Sequence, residues 1–262
     1  MSQASLEGRH ALVTGAGGGI GAAIAAALAR AGARVSLAGR RAEPLRAASA
    51  ALPAGFAAMI DGFDVTDADA IAWGLERARA AFGPVAILVN NAGEAPSAPF
   101  RKTDLGMWSH VLATDLTSVY LVTQAALPDV ESFGASGRIV NVASTAGLTG
   151  YPYVSAYCAA KHGVVGITRA LALELARSGV TVNAVCPGFT ETPLIDKAVA
   201  NIVARTGRTE AAARAELARA NPQKRLVKPE EVADCVAWLA SSGAASINGQ
   251  AIAIAGGEVL AG

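Results

Sequence analysis

Short apolar or β-branched runs alternate with alanine-rich helical stretches along most of the chain, and that alternation leaves few folds open. Strand candidates fall at residues 11–14, 34–38, 57–60, 86–90, 138–142, 181–186 and 251–254. Helical stretches lie between them at about 20–31, 43–51, 68–81, 105–127, 154–178 and 229–240. Strands that are apolar throughout and separated by helices are the signature of a parallel sheet covered on both faces. The expectation is therefore an α/β fold with one seven-stranded sheet. No long Pro/Ser linker and no internal repeat divides the chain, so residues 1–262 read as a single domain.

One segment breaks the rhythm. No strand appears between residues 190 and 225; Leu194, Ile195, Val199, Ile202 and Val203 recur there at helical spacing, and a second helical stretch follows at about 210–219. An amphipathic insertion after a late strand sits at the ligand-binding end of such a sheet, where it would serve as a lid over a substrate. The plainer reading is a pair of surface helices.

Charge and composition exclude several classes. With 22 basic and 21 acidic residues the net charge is +1, so no field of one sign favours nucleic acid. The longest apolar-looking stretch, about 164–176, carries Arg169 and Glu174 and does not suit a bilayer. The amino terminus lacks the apolar segment of a secretory signal, which gives a cytoplasmic expectation. Cys158, Cys186 and Cys235 have no metal-like spacing and read as reduced thiols; with His10, His110 and His162 dispersed, no catalytic metal is expected.

The turn Thr14-Gly15-Ala16-Gly17-Gly18-Gly19-Ile20-Gly21 follows the first strand and opens the first helix. Glycines let the backbone turn tightly and approach a pyrophosphate, and free N–H groups at a helix start favour the anion. This is the dinucleotide-binding arrangement of a Rossmann fold. The second strand ends Leu37-Ala38-Gly39-Arg40-Arg41, with no carboxylate to accept from ribose hydroxyls. Arg40, assisted by Arg41, suits the extra phosphate of NADP(H), which is favoured over NAD(H).

Tyr157 and Lys161 are four residues apart and thirteen or more residues beyond Ser144. On a helix the two would share a face. An ammonium ~4 Å from a phenolate at an effective dielectric of ~20 contributes roughly 4 kcal/mol, which would draw the phenol towards neutrality, where acid-base work is efficient. Ser144 would hydrogen-bond the substrate oxygen to which Tyr157 gives a proton.

Taken together, Thr14-Gly15-x-x-x-Gly19-Ile20-Gly21, Asp64-Val65, Asn90-Asn91-Ala92-Gly93, Ser144, Tyr157-x-x-x-Lys161 and Pro187-Gly188 leading to Thr192 resemble the single-domain branch of the short-chain dehydrogenase/reductase family over essentially the whole chain. The resemblance implies that Asp64 bonds the adenine amino group with Val65 beside it. It implies that Asn90, Asn91, Ala92 and Gly93 hold the sheet end and cofactor ribose, and that Pro187, Gly188 and Thr192 face the nicotinamide. Tyr157 is then the acid-base residue, Ser144 the carbonyl polariser, and Lys161 the group that binds ribose and supports Tyr157. One position departs from the pattern: the long central helix carries Asp115 where the family usually has an Asn that completes the proton path. The resemblance also implies a homotetramer.

The same resemblance implies interconversion of a ketone and a secondary alcohol by hydride transfer. A pocket bordered by residues 94–99, 145–153 and the lid would be apolar, with Leu148, Tyr151 and Tyr153 as lining. In the insertion, Lys197, Arg205, Arg208, Arg214, Arg219, Lys224 and Arg225 outnumber Glu191, Asp196, Glu210 and Glu216, which suits a phosphate-bearing coenzyme A or acyl-carrier thioester. The stretch Asn183-Ala184-Val185-Cys186-Pro187-Gly188-Phe189 also resembles polyketide ketoreductases. A 3-oxoacyl thioester or similar apolar ketone reduced with NADPH is the first expectation. An NAD-dependent secondary alcohol or 3-hydroxyacyl-CoA dehydrogenase is the alternative, and a cofactor sensor without chemistry is the reading outside enzymes.

Overall fold

A computed structural model describes residues 5–260; residues 1–4 and 261–262, which hold the start of the amino terminus and the limits of the 1–262 unit discussed above, and the Leu194 side chain lie outside the described residues. The chain runs β1 (His10–Thr14), α1 (Gly19–Arg30), β2 (Arg34–Ala38), α2 (Ala42–Ala50), β3 (Ala57–Ile60), α3 (Ala68–Phe82) and β4 (Ile87–Asn90). It continues through α4 (Leu105–Leu112), α5 (Ser118–Ser132), β5 (Arg138–Val142), α6 (Ser155–Glu174), β6 (Thr181–Pro187), α7 (Pro193–Thr206), α8 (Glu210–Ala218), α9 (Pro229–Ala240) and β7 (Ala251–Ile254). The seven strands form one sheet in the order β3-β2-β1-β4-β5-β6-β7, with every pairing parallel.

Consecutive side chains of a strand enter opposite layers. Val13, Val35, Ile87 and Val140 meet Ile24 and Leu28 of α1 and Val232, Val236 and Leu239 of α9 on one face. Leu12, Leu88, Ile139 and Val182 meet Ile71 and Leu75 of α3 and Val122, Ala126 and Val130 of α5 on the other. Each such buried aliphatic side chain contributes about 1.5–3 kcal/mol, which is why the strands are apolar on both sides. The order reverses between β1 and β4, so the crevice at their carboxyl ends is where an open α/β sheet receives a ligand.

Two helical boundaries differ from the sequence expectation. The stretch expected at 105–127 is interrupted by a π-helical turn, Ala113–Thr117, and then runs on to Ser132 through an internal Pro128. Proline disfavours a helix interior, yet α5 carries Pro128 and continues past it. The stretch expected at 154–178 ends as an α-helix at Glu174, followed by a 3-10 turn, Ala176–Ser178, and Gly179 in the left-handed region at φ 83°. The insertion forms α7 and α8; a bridge between Thr190 and Val227 joins its two ends, and its apolar residues form a small cluster described below. Among the described residues no helix is long and apolar enough to cross a membrane.

Candidate active site

The β1–α1 turn is built where side chains would not fit. A Cβ added at Gly21 would lie 2.3 Å from the Gly15 carbonyl oxygen and 2.5 Å from Asn91 Nδ2, and one at Gly15, where φ is +64°, would lie 2.9 Å from Ala92 Cα. Thr14 Oγ1 accepts from the backbone N–H groups of Asn91 (2.9 Å) and Ala92 (3.0 Å), while Asn91 Nδ2 donates to the carbonyls of Thr14 (2.9 Å) and Gly15 (3.3 Å). The end of β4 is thereby stitched to the turn. Asn90 is one residue too early to join it; its buried amide donates to Thr123 Oγ1 and Asn141 Oδ1, both at 2.9 Å, and fixes the strand ends.

At the start of α1, Gly18 supplies no side-chain cap, and a Cβ there would meet only open space. The start of α1 is therefore uncapped and open beside Gly18, and free first-turn N–H groups of this kind suit a dinucleotide pyrophosphate. Gly19 adopts φ +53° and abuts Thr192, with a 3.2 Å approach between its would-be Cβ and Thr192 Cγ2, and Ile20 packs against the core. Thr192 thus comes to the turn from the far side of the sheet. Arg40 and Arg41 are both exposed just past β2. Asp64 accepts from the Thr66 N–H (2.9 Å) and hydroxyl (2.7 Å); those bonds, with a contribution from Arg40, hold its carboxyl below the usual range. The cap of α3 is Asp67, which accepts from Asp69 and Ala70, so Asp64 is not consumed as a helix cap. Val65 is buried beside it.

Ser144 follows β5 and begins a 3-10 turn, Thr145–Gly147, its Oγ accepting from Ala146 N at 3.1 Å. Tyr157 and Lys161 lie one turn apart on α6, with Lys161 Nζ 5.5 Å from the centre of the Tyr157 ring. The ammonium is only 4% exposed; it donates to the Val142 carbonyl at 3.1 Å and lies 3.4 Å from Asp115 Oδ1. Asp115, turned inward by the π-helical turn, is fully buried, and its carboxylate also accepts from Glu94 N at 3.2 Å. Gly93 is required by this packing, since a Cβ there would lie 2.4 Å from Asp115 Oδ1. Ser144, Tyr157, Lys161, Asp115 and Gly93 therefore converge at the ends of β4 and β5.

The electrostatics correct the simple ion-phenol estimate. Burial pushes the Tyr157 phenol above its ordinary value; Lys161 and a hydrogen bond with Ser144 pull it down, while Asp115 pushes it further up. Lys161 does not act alone on Tyr157, because it is shared with Asp115 and the Val142 carbonyl. Asp115 itself is raised, again chiefly by burial, with Lys161 pulling the other way. Desolvation is a property of the folded site, and spacing along the sequence carries no measure of it.

On the opposite side, Pro187 ends β6 and Gly188 follows it. Of the expected lining residues, only Tyr151 is held towards this region: its ring meets Phe189 edge-on at 6.1 Å between centroids, and its hydroxyl lies 2.9 Å from Thr145 Oγ1. Leu148 packs against the cluster of Val119, Ala143 and Val164, and Tyr153 is largely exposed with φ +70°. Glu258 is a residue that sequence reasoning passes over. No sequence signal marks it: the parallel pairing of Pro187 with Ile254 carries the segment after β7 back beside Gly188.

The insertion also differs from its reading as a basic rim. Arg214 pairs with Asp196 (2.5 Å) and Glu210 (3.3 Å), Arg208 and Arg219 with Glu216 (3.7 and 3.1 Å), and Arg225 with Glu231 (2.7 Å). Four of the seven expected cations are thus matched with carboxylates. Its apolar contact is a cluster of Ile195, Val199, Ala213, Ala218 and Leu226.

Known proteins are similar to this chain over most of its length. A family model described as short chain dehydrogenase matches residues 9–202. The chain is 42% identical to cis-4-hydroxycyclohexanecarboxylate dehydrogenase of Sinomonas cyclohexanicum, over 98% of each protein. It is 41% identical to a putative ketoacyl reductase of Streptomyces coelicolor, over 97% of this chain and 98% of that one. The solved structure of actinorhodin polyketide ketoreductase with NADPH matches with a TM-score of 0.88 and 38% identity, covering 95% of this chain and 97% of the other.

Proposed function

The chain belongs to the short-chain dehydrogenase family and is an NAD(P)-dependent oxidoreductase of ketones and secondary alcohols; on that premise we propose that it reduces a neutral, apolar ketone with NADPH, a 3-oxoacyl thioester being the first candidate. The observation that carries this reading is the convergence of Ser144, Tyr157 and Lys161 beside a glycine turn whose helix start is open to an anion.

Thr14, Gly15, Gly19, Ile20 and Gly21 would hold the pyrophosphate of the cofactor, Asp64 and Val65 its adenine, and Arg40, assisted by Arg41, the 2′-phosphate that distinguishes NADPH. Asn91, Ala92, Gly93, Pro187, Gly188 and Thr192 would border its nicotinamide half, with Lys161 and Tyr157 at the ribose. When bound, the nicotinamide supplies a hydride to the carbonyl carbon. Ser144 donates a hydrogen bond to the carbonyl oxygen, and Tyr157 delivers the proton that turns that oxygen into a hydroxyl. Lys161 limits the cost of the negative charge left on the phenol. Asp115, with the Val142 carbonyl, positions Lys161 and tempers its pull on Tyr157.

The single domain over residues 1–262 carries the α7–α8 insertion as its lid in this reading. Lys197, Arg205 and Lys224 are the insertion's basic residues outside the ion pairs named above, and support for a phosphate-bearing carrier rests on them. A homotetramer is part of the proposal, supported by apolar side chains such as Leu105, Tyr120 and Leu173 left exposed on α4, α5 and α6. Three free cysteines fit a reducing, cytoplasmic setting. A panel of ketones, 3-oxoacyl-CoA thioesters and their alcohols assayed with both cofactors tests the reading; NADPH-dependent reduction of the neutral ketones is expected, and turnover confined to NAD and alcohols would replace it with the dehydrogenase alternative.

A further inference from the structure

Glu258 takes no part in the proton transfer, yet the fold brings its carboxylate to the substrate side of the site. Ile254 at the end of β7 pairs with Pro187 at the end of β6. The chain then reverses through Gly256 and Gly257, at φ +60° and +92°, and Glu258 N donates to the Ala255 carbonyl at 3.1 Å. Glu258 Oε1 accepts from the Tyr151 hydroxyl at 2.5 Å, and that hydroxyl lies 2.9 Å from Thr145 Oγ1, on the residue after Ser144. The second oxygen, Oε2, reaches within 3.0 Å of the place a Cβ would occupy on Gly188. One carboxylate thus bridges the loop that begins at Ser144 and the loop that follows β6, the two walls on either side of the candidate carbonyl site.

The bordering loops do little to offset that charge, and the site's Lys161 ammonium is paired with Asp115. Loops 94–99, 144–153 and 187–192, which border the site, contain Glu94 and Glu191 and no lysine, arginine or histidine. Glu94 is paired with His110 from α4, whereas Glu258 meets only a neutral phenol and forms no ion pair among the described residues. Burial and Glu258 together push the Tyr151 phenol up, so it keeps its proton and remains a donor across the neutral range.

We propose that Glu258 is a specificity-determining residue: its carboxylate, held by Tyr151 beside Gly188, disfavours ketones that carry a carboxylate and leaves the site to uncharged ones. The proposal rests on the ketone-reductase reading and deepens it. It separates a 3-oxoacyl thioester or a simple cyclic ketone from the corresponding free oxo acid.

The test uses two cyclic ketones that differ in charge and little in shape, 4-oxocyclohexanecarboxylate and its carboxamide, assayed with NADPH against the wild type, Glu258→Gln and Tyr151→Phe. The wild type is expected to favour the carboxamide in kcat/KM by about tenfold, the effect of unit charges ~6 Å apart at an effective dielectric of ~40. Glu258→Gln keeps the shape and removes the charge, so the preference should fall to about one. Tyr151→Phe keeps the charge and removes the tether; it should lower kcat/KM for both ketones while the preference for the carboxamide persists. An unchanged preference in Glu258→Gln, alongside measurable turnover, overturns the role of Glu258 and leaves the reductase reading standing. Failure of the wild type to reduce either ketone or any member of the wider panel would remove the reductase reading and this inference with it.

Discussion

The β1–α1 turn and the α7–α8 insertion both stand at the carboxyl end of the sheet, and they are held by different physics. The turn is fixed by backbone: Gly15 and Gly21 sit where a single added carbon would collide with a main-chain oxygen or a neighbouring Cα, and Thr14 and Asn91 tie it to the end of β4. The insertion is fixed by side chains, through five buried apolar residues and ion pairs of exposed arginines. Backbone constraints tolerate almost no substitution, whereas exposed ion pairs contribute little and can be exchanged. The turn is therefore rigidly specified, and the insertion, the lid in the proposed reading, is free to vary. One fold can keep a single chemistry while changing what it acts on.

Four substitutions, in descending order of effect, sharpen or break that contrast. Tyr157→Phe should lower turnover to below about a hundredth of wild type while NADPH affinity, read by fluorescence titration, stays within about twofold, because it removes a group needed in the transition state. Retained turnover would take the proton donor away from Tyr157. Gly21→Ala should destabilise the fold by about 1–3 kcal/mol in denaturant unfolding and weaken cofactor binding, since the new carbon meets a backbone oxygen that cannot rotate away. Arg40→Ala should weaken NADPH binding by about tenfold to a hundredfold, the loss of a charged hydrogen bond, and leave NADH binding unaltered; equal losses for both cofactors would mean that Arg40 does not read the phosphate. Arg214→Ala, in the insertion, should change neither the melting temperature nor turnover resolvably, although it pairs with both Asp196 and Glu210. A large loss there would place the insertion under the same constraint as the turn.

The same division explains what was legible in the sequence. The seven strands were readable because strands buried on both faces must be apolar throughout, and the glycine turn because its residues have no alternative. Asp115 stood out as a carboxylate where an amide is usual, but its inward rotation by a π-helical turn and its 3.4 Å approach to Lys161 depend on packing that no helical periodicity shows. The sign of the Tyr157 shift was missed for the same reason, since a Coulomb estimate from spacing omits desolvation. The basic rim was an accurate count of charges along the chain that took no account of pairing across α7 and α8. Glu258 was invisible because its neighbours, Tyr151 and Gly188, are brought to it by the register of the last two strands.

The central claim is that Tyr157 moves the proton and that the buried Asp115–Lys161 pair sets how tightly it holds it. The most direct measurement is the pH dependence of ketone reduction in Asp115→Asn beside the wild type. Asp115 pushes the Tyr157 phenol up, so replacing its carboxylate with an amide of the same shape lets the phenol ionise at lower pH. Reduction needs the phenol protonated, and the alkaline limb of the profile should therefore move to lower pH. In the oxidative direction the phenolate is needed, so the acid limb should move the same way. A profile that stays where it is, or an alkaline limb that moves upward, would contradict the claim and remove Asp115 from the control of Tyr157.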